Sequence, residues 1–402
     1  MPSERTQVMA APALSSTARR ILKRLERLEH GELEVDLGTA GRHTIRGAQS
    51  GPTAHIHLRN AGATLRQAML RSDMGFAEAY LDGAWDSDDL ATLLYLGALN
   101  ENALAPPRPW QAASLLLDRV RHRLRRNSRQ GSRRNIHAHY DLGNRFYEAW
   151  LDPGMTYSSA LFATEDEPLE TAHARKYQRL LDQLGCRPGD HILEIGCGWG
   201  GFAEYAARQG MRVTGITLSR EQLAYAGERI RRAELDDRVN LAFCDYRDLQ
   251  GRFDHIVSIE MFEAVGESYW PAFFATLQRC LKPGGRAAIQ TIIIDEDYFA
   301  AYRRSTDFIQ RYVFPGGMLP SPEAFHDRAA AQGMSVSQPA FFGRDYATTL
   351  KRWAQHFESA LPEIRAQGFD ERFIRLWRYY LAYCQAGFRQ GRVNLMQVCV
   401  ER

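Results

Sequence analysis

The residues best suited to chemistry stand between Asp190 and Gly201, in the run DHILEIGCGWGG. His191, Ile192, Leu193 and Ile195 have the character of a short buried parallel strand, a glycine-rich turn follows, and Phe202–Arg208 begins a helix. Strand, tight turn and helix N-terminus together present backbone N–H groups to a ligand. The glycines alone leave that ligand open. Gly196, Gly198 and Gly201 also satisfy the dinucleotide pattern G-x-G-x-x-G, and any tight strand-to-helix turn asks for glycine. A dinucleotide site wants a carboxylate about 20 positions further on, for the ribose hydroxyls. Here the next strand, Met211–Ile216, ends in Thr217, Leu218 and Ser219. The carboxylate stands instead directly before the glycines, at Glu194, where it can pair with a cation such as the amino-acid end of S-adenosylmethionine. A methyltransferase-type nucleotide loop follows from this placement, with nicotinamide binding the weaker alternative.

The elements that must position this loop alternate regularly. RVTGIT is a second strand, Ser219–Glu234 a helix carrying Gln222, and VNLAFC a third strand closed by Asp245 and Tyr246. FDHIVSIE is the fourth, followed by MFEAVG, and KPGG precedes the fifth, RAAIQTIII. This is the pattern of a doubly wound α/β unit, in which ligands bind beyond the carboxyl ends of the strands. Those ends nominate Glu194, Thr217, Asp245, Glu260, Glu263 and Gln290. Upstream, Glu170–Leu184 reads as a helix with Lys176, Leu180, Leu181 and Leu184. Before it, NIHAHYDLGNRFYEAWLDPGMTYSSALF crowds aromatics and histidines between Gly143, Pro153 and Gly154, which suits a cap over a ligand; His139 and Tyr140 are cap candidates, with a structural histidine the competing reading. Downstream come a polar helical insertion over Asp295–Arg311, a helix over Phe325–Gln332, a strand MSVSQPAFFG, helices over Tyr346–Leu361 and Arg372–Arg389, and a closing strand VNLMQVCVER. The last two strands fit an antiparallel pair ending the sheet.

A chain of 402 residues has room for two or three domains, and an apolar fraction of 45% supports a buried core. The net charge of +3 is too small to argue for nucleic acid. Six cysteines without C-x-x-C or paired spacing point to a reduced, cytoplasmic setting without disulfides or a zinc site. The N-terminus lacks the apolar core of a signal peptide, and no apolar run is long enough to span a bilayer. Residues 1–16 read as disordered. Residues 17–100, with an amphipathic helix over Thr17–His30, short alternating strands and helical periodicity over Ala63–Leu99, read as a small α+β domain. Residues 101–134 form a linker that turns basic, with Arg119, Arg121, Arg123, Arg125, Arg126, Arg129, Arg133 and Arg134 close together. One reading of segment 119–134 is a solvated helix face. The other is a patch for an anionic membrane surface, where each basic residue adds about 1 kcal/mol. Residues 135–402 are then the catalytic domain.

HYDLGNRFYEAWLDPGMTYSSALF, LEIGCGWGG, GITLSREQ, SIEMFEAVG, LKPGG, FIQRYVFPGGMLPS, FGRDYATTLKRW and LMQV, in this order, resemble the cyclopropane-fatty-acyl-phospholipid synthase family, which includes the mycolic acid cyclopropane synthases. The small N-terminal domain and basic linker resemble its phospholipid-acting bacterial branch. The resemblance implies a class I methyltransferase sheet with a helical cap. It implies methyl transfer from S-adenosylmethionine to the cis double bond of an unsaturated phospholipid acyl chain, a carbocation, and ring closure on loss of a proton. It leaves room for a homodimer through the N-terminal domain and implies peripheral attachment to the inner membrane face. A cation of this kind needs an apolar, aromatic pocket, for which Tyr157, Phe162, Tyr312, Phe314 and Tyr346 are candidates, and a base beside the new methyl.

In the family a bound bicarbonate is that base, held by a cysteine, a glutamate, a histidine, a tyrosine and a backbone group. Glu263 and Tyr346 match the glutamate and the tyrosine. Ser159 stands for the cysteine, Gln290 for the histidine, and Ala264 for the histidine after the glutamate, while Glu260 occupies a position that is commonly glycine. Serine and glutamine can still donate to an oxyanion, so bicarbonate stays open as a cofactor. The sharper expectation is that the Glu260 carboxylate takes over part of its role; the alternative is a strand-end glutamate facing solvent or pairing with an arginine. Matching positions assign Tyr157, Ser158, Gly196, Gly198, Thr217, Leu218 and Gln222 to the cofactor, Asp245 and Tyr246 to the neighbourhood of its adenine, and Glu194 to its methionine end or to bracing the loop. Double-bond methylation without ring closure, and a lipid-surface binding protein with degenerate catalysis, are the competing functions.

Overall fold

The computed structural model describes residues 14–104 and 142–402. They form two units: residues 14–104 together with 370–386, and 142–369 together with 387–402. A linear division that keeps 135–402 whole therefore differs from the structure, because the chain returns to the first unit late.

In the first unit, the helix Ser16–Leu25 is capped by Ser15, whose hydroxyl accepts from the Ala18 N–H. It is shorter than the expected Thr17–His30, because His30 already opens strand β1 (His30–Asp36). β2 (Arg42–Arg46), β3 (Gln49–Leu58) and β4 (Trp85–Asp86) complete a sheet in the order β2-β1-β3-β4. Alternation puts Leu33, Val35, Ala54, Ile56 and Leu58 inside, beneath the helices Ala61–Leu81 and Leu90–Leu99. Residues 370–386 bring Arg375 into this unit. Its buried guanidinium lies over the Tyr80 ring and donates to the Tyr80 and Trp85 carbonyls at 2.6 and 2.8 Å.

The second unit holds an eight-stranded sheet: β5 (His191–Ile195), β6 (Arg212–Thr217), β7 (Val239–Phe243), β8 (Phe253–Ile259), β9 (Leu281–Ile294), β10 (Ser335–Val336), β11 (Ala340–Phe341) and β12 (Val393–Glu401). Its order is β10-β12-β9-β8-β5-β6-β7, with β11 also on β12. β5 to β9 are parallel and β12 runs antiparallel to β9. MSVSQPAFFG forms two two-residue strands where one was expected; Pro339 between them has no N–H for the ladder. Side-chain alternation sends Leu193, Ile195, Ile256, Ala287 and Ile289 into an aromatic layer of Phe262, Trp270, Phe273, Phe274 and Phe325. Ile192, Val213, Val257 and Ala288 face an aliphatic layer from the helices Leu169–Leu184 and Gly201–Arg208. Both faces of the sheet are covered, so only its ends are left to hold a ligand.

Candidate active site

The glycine turn is built as its residues require. Gly196 and Gly198 have φ of +90° and +49°, left-handed values that side chains resist. A Cβ on Gly196 would come within 2.9 Å of the Met261 side chain, whereas one on Gly198 would meet no protein atom within 4 Å. Gly198 thus borders open space at the end of β5. Glu194, one residue before the end of that strand, is buried, and its Oε2 has no hydrogen-bond partner among the described residues. Burial pushes its carboxyl up to about 8, against the pull of Lys176 and Arg229. An orphaned buried carboxylate beside an open glycine cradle fits a ligand with a cationic end, as S-adenosylmethionine has. At the tip of β6, the Thr217 hydroxyl donates to Gln222 Oε1 at 3.0 Å and accepts from the Ser219 N–H at 3.1 Å, and the Ser219 hydroxyl caps the next helix. Half-buried Leu218 lies between them.

Glu260 follows β8 and is itself left-handed, at φ +48°. That backbone explains a glycine at such a position, and a glutamate held there carries strain of about 1–2 kcal/mol. Its carboxylate is half-buried and fully engaged. Oε1 accepts from the Ser159 N–H at 2.8 Å and from Gln290 Nε2 at 2.7 Å, and Oε2 accepts from the Tyr346 hydroxyl at 2.6 Å. Burial raises its carboxyl, and Lys176 with these three donors holds it down in part. The solvent-facing alternative is therefore corrected. Gln290 lies within β9 rather than at its tip, paired with Ile259, so it reaches the level at which β8 ends. Ser159 contributes its backbone; its hydroxyl donates to the Ala160 carbonyl. The donors expected to cradle bicarbonate converge on Glu260. Close by, Glu263 accepts from the Ile292 N–H, its other oxygen is buried without a hydrogen-bond partner among the described residues, and burial plus the charge of Glu260 push it up to about 8.

One lysine sits among the carboxylates. Lys176 is 1% exposed, donates to the Ser158 hydroxyl at 2.6 Å, and lies 3.4 Å from His173 Nδ1. Burial pulls its ammonium down to about 8, with Glu260, Asp152 and Glu194 opposing. Asp152 locks the preceding turn by accepting from the Gly154 and Thr156 N–H groups. Neither Lys176 nor Asp152 stood among the expected site residues. The signal was present for Lys176, a charge on the apolar stripe of its helix beside Leu180, Leu181 and Leu184.

Of the aromatic candidates, Tyr346 touches Glu260 and stacks on Phe388 at 4.4 Å, and Tyr157 packs against Tyr147, Trp150 and Trp353. Phe162 instead carries the Arg352 guanidinium over its ring. Tyr312 lies in a π-helical turn, Ile309–Val313, and Phe314 directly follows it; the Met318 N–H of the same segment donates to the Glu263 carbonyl. The Asp245 carboxylate is held by Arg247 at 2.6 Å, and Tyr246 is buried beside it. His139, Tyr140 and segment 119–134 lie outside the described residues.

The sequence model of the mycolic acid cyclopropane synthetase family matches residues 127–398. The chain is 38% identical to the tuberculostearic acid methyltransferase UfaA1 of Mycobacterium tuberculosis, over 96% of this chain and 91% of that protein. It is 35% identical to the cyclopropane-fatty-acyl-phospholipid synthase of Escherichia coli, over 87% and 88%. Among solved structures, the mycolic acid cyclopropane synthase CmaA1 complexed with SAH and CTAB matches with a TM-score of 0.63 and 30% identity, over 67% of this chain and 98% of that one.

Proposed function

The chain belongs to the mycolic acid cyclopropane synthetase family of S-adenosylmethionine-dependent lipid methyltransferases, and we propose that it methylates the cis double bond of unsaturated phospholipid acyl chains with Glu260 as its built-in base. The observation that carries this reading is the convergence of Ser159 N–H, Gln290 and Tyr346 on one carboxylate. S-adenosylmethionine supplies a methyl group on a positively charged sulfur. Glu194 holds its ammonium end, and the open face of Gly198 lets backbone approach it. Three carboxylates, buried Asp152 and Glu194 and half-buried Glu260, act on one buried ammonium, Lys176, and Glu263 adds a fourth carboxyl beside Glu260, so the site favours cations. That bias serves both the sulfonium and the carbon cation left on the acyl chain after methyl transfer.

Glu260 then takes a proton from the new methyl. If the cation has stayed on the neighbouring carbon, the C–H electron pair closes a cyclopropane. If a hydride has first moved to that carbon, the same proton loss leaves an exocyclic methylene. Ring closure is the family's chemistry and our first reading. The second is favoured by Glu260 standing where bicarbonate is expected, and by the match to a tuberculostearic acid methyltransferase over nearly the whole chain. The arginines of segment 119–134 bring the enzyme to anionic membrane surfaces; among the described residues no helix is long and apolar enough to cross one.

Incubation with S-adenosylmethionine and liposomes of cis-monounsaturated phospholipid, without bicarbonate, is expected to give a lipid product. Proton NMR separates ring from vinyl signals. A bound cofactor with no modified lipid would overturn the reading. Gly198→Ala is expected to weaken S-adenosylhomocysteine binding roughly tenfold, about 1.4 kcal/mol, because its Cβ enters the open space of the cradle, and strain at φ +49° lowers stability separately by about 1–2 kcal/mol. Unchanged affinity by calorimetry would remove the loop from the binding site.

A further inference from the structure

Glu260 is the end of a longer construction. Gln290 Nε2 donates to Glu260, Gln397 Nε2 donates to Gln290 Oε1 at 2.7 Å, and Arg179 Nε donates to Gln397 Oε1 at 3.0 Å. Gln290 and Gln397 face each other across β9 and β12, 0% and 1% exposed. The guanidinium of Arg179, on the helix Leu169–Leu184, rests 5.0 Å over the Phe342 ring. The direction of the chain is determined from both ends. Arginine can only donate and an ionised carboxylate can only accept, so two amides between them have one orientation that satisfies every atom. Every dipole along the chain points its positive end at Glu260.

We propose that Arg179 and Gln397 are positioning residues for Glu260: through Gln290 they present an aligned pair of amides, anchored on a guanidinium, that orients the carboxylate and favours its ionised form. The inference rests on the reading of Glu260 as the base. The amides carry no proton; they fix an electrostatic field in a dry site, where such alignment counts most. The other groups facing Glu260 are Lys176 from the same helix as Arg179, Tyr346 from the helix Gly343–Ser359, and Glu263, and the tests leave them in place.

Gln397→Leu ends the chain at Gln290, and the acid limb of kcat/KM is expected to move up by about half to one pH unit. Gln397→Glu is nearly isosteric and gains an ion pair with Arg179, but it makes Gln290 donate backward and turn its carbonyl to Glu260. The limb is expected to move further up than in Gln397→Leu, whereas a purely structural role predicts that this variant is the milder one. Arg179→Met, at a half-buried position, repeats the test should a β12 variant fail to fold. The protonated-carboxyl infrared band of Glu260, assigned by its loss in Glu260→Gln, reads the same shift without turnover. Full activity of Glu260→Gln would remove the base reading, while a band that still moves in the Gln397 variants would keep the positioning role. An unmoved limb and an unmoved band in both Gln397 variants would overturn the proposal.

Discussion

Glu260→Gln is expected to lower turnover by roughly 10²–10⁴-fold, the range a positioned general base contributes, with little change in cofactor affinity or folding. The amide preserves the shape of the site. Its oxygen can still accept from Ser159 N–H and Gln290, and its NH₂ can donate to the Tyr346 hydroxyl, which reverses its role. Only basicity is lost. Glu260→Gly should be equally slow but differ in one respect. It relieves the strain at φ +48° and leaves three donors around a small cavity, so bicarbonate or formate is expected to restore part of the rate. Lipid product per enzyme, measured with and without added anion, checks both variants. Near-wild-type turnover by Glu260→Gln, or no rescue of a folded Glu260→Gly, would count against a built-in base. In the unaltered enzyme the base must be ionised, and burial raises it. Activity therefore falls as pH drops through a value above the ordinary carboxylate range.

Local pattern made the nucleotide loop legible. A β-branched strand, glycines with required left-handed backbone and a following helix are all encoded within a dozen residues around Gly196, and the structure builds them as expected. The short reach of that encoding also explains what stayed hidden. Gln397 and Arg179 meet although they are 218 positions apart, and Gln397 meets Gln290 only because β12 inserts antiparallel beside β9. No periodicity reports such a pairing. Arg372–Arg389 reads as one more helix, and nothing within it states that residues 370–386 join the first unit. MSVSQPAFFG reads as one strand from its apolar residues, and Pro339 within it separates two short ones. Lys176 was visible as a charge on a buried stripe, but its partners come from a strand end, a turn and a loop that only the fold assembles.

These cases share a cause. Helices and strands follow from neighbours in sequence, whereas a buried charge is stable only through partners recruited by topology. Two conspicuous departures in this chain, Glu260 and Gln290, are informative together: Glu260 supplies an anion within the protein and the Gln290 amide donates to it, whereas Ser159 donates only its backbone N–H and nothing in the structure explains its hydroxyl. Read singly each looks like erosion of a bicarbonate cradle, and assembled they account for one another.

Lys176→Met is expected to change stability with opposite consequences at the two ends of the working pH range. The side chains are close in size, so the cavity term is small. In acid, about pH 5, Glu194 and Glu263 are protonated, each being pushed up to about 8 in the fold. The buried ammonium then has few charges to meet, and removing it costs little or stabilises. Near pH 8 Glu194 begins to ionise beside a Lys176 that is still partly charged; without Lys176 its carboxyl stays protonated in the fold while it is ionised in the unfolded chain, and each unit by which it is raised costs about 1.4 kcal/mol. The sign follows from proton linkage: a carboxyl raised above its unfolded value binds more protons when folded, so stability falls as pH rises from the unfolded pKa to the folded one. Losing Lys176 raises these carboxyls further and extends the fall. Thermal melts of both proteins across this range should diverge with rising pH, the variant melting lower at the alkaline end. Saturating S-adenosylmethionine should narrow the gap, because its ammonium stands in for part of the missing charge. A constant difference at every pH would reduce Lys176 to a packing residue and detach it from Glu260 and Glu194.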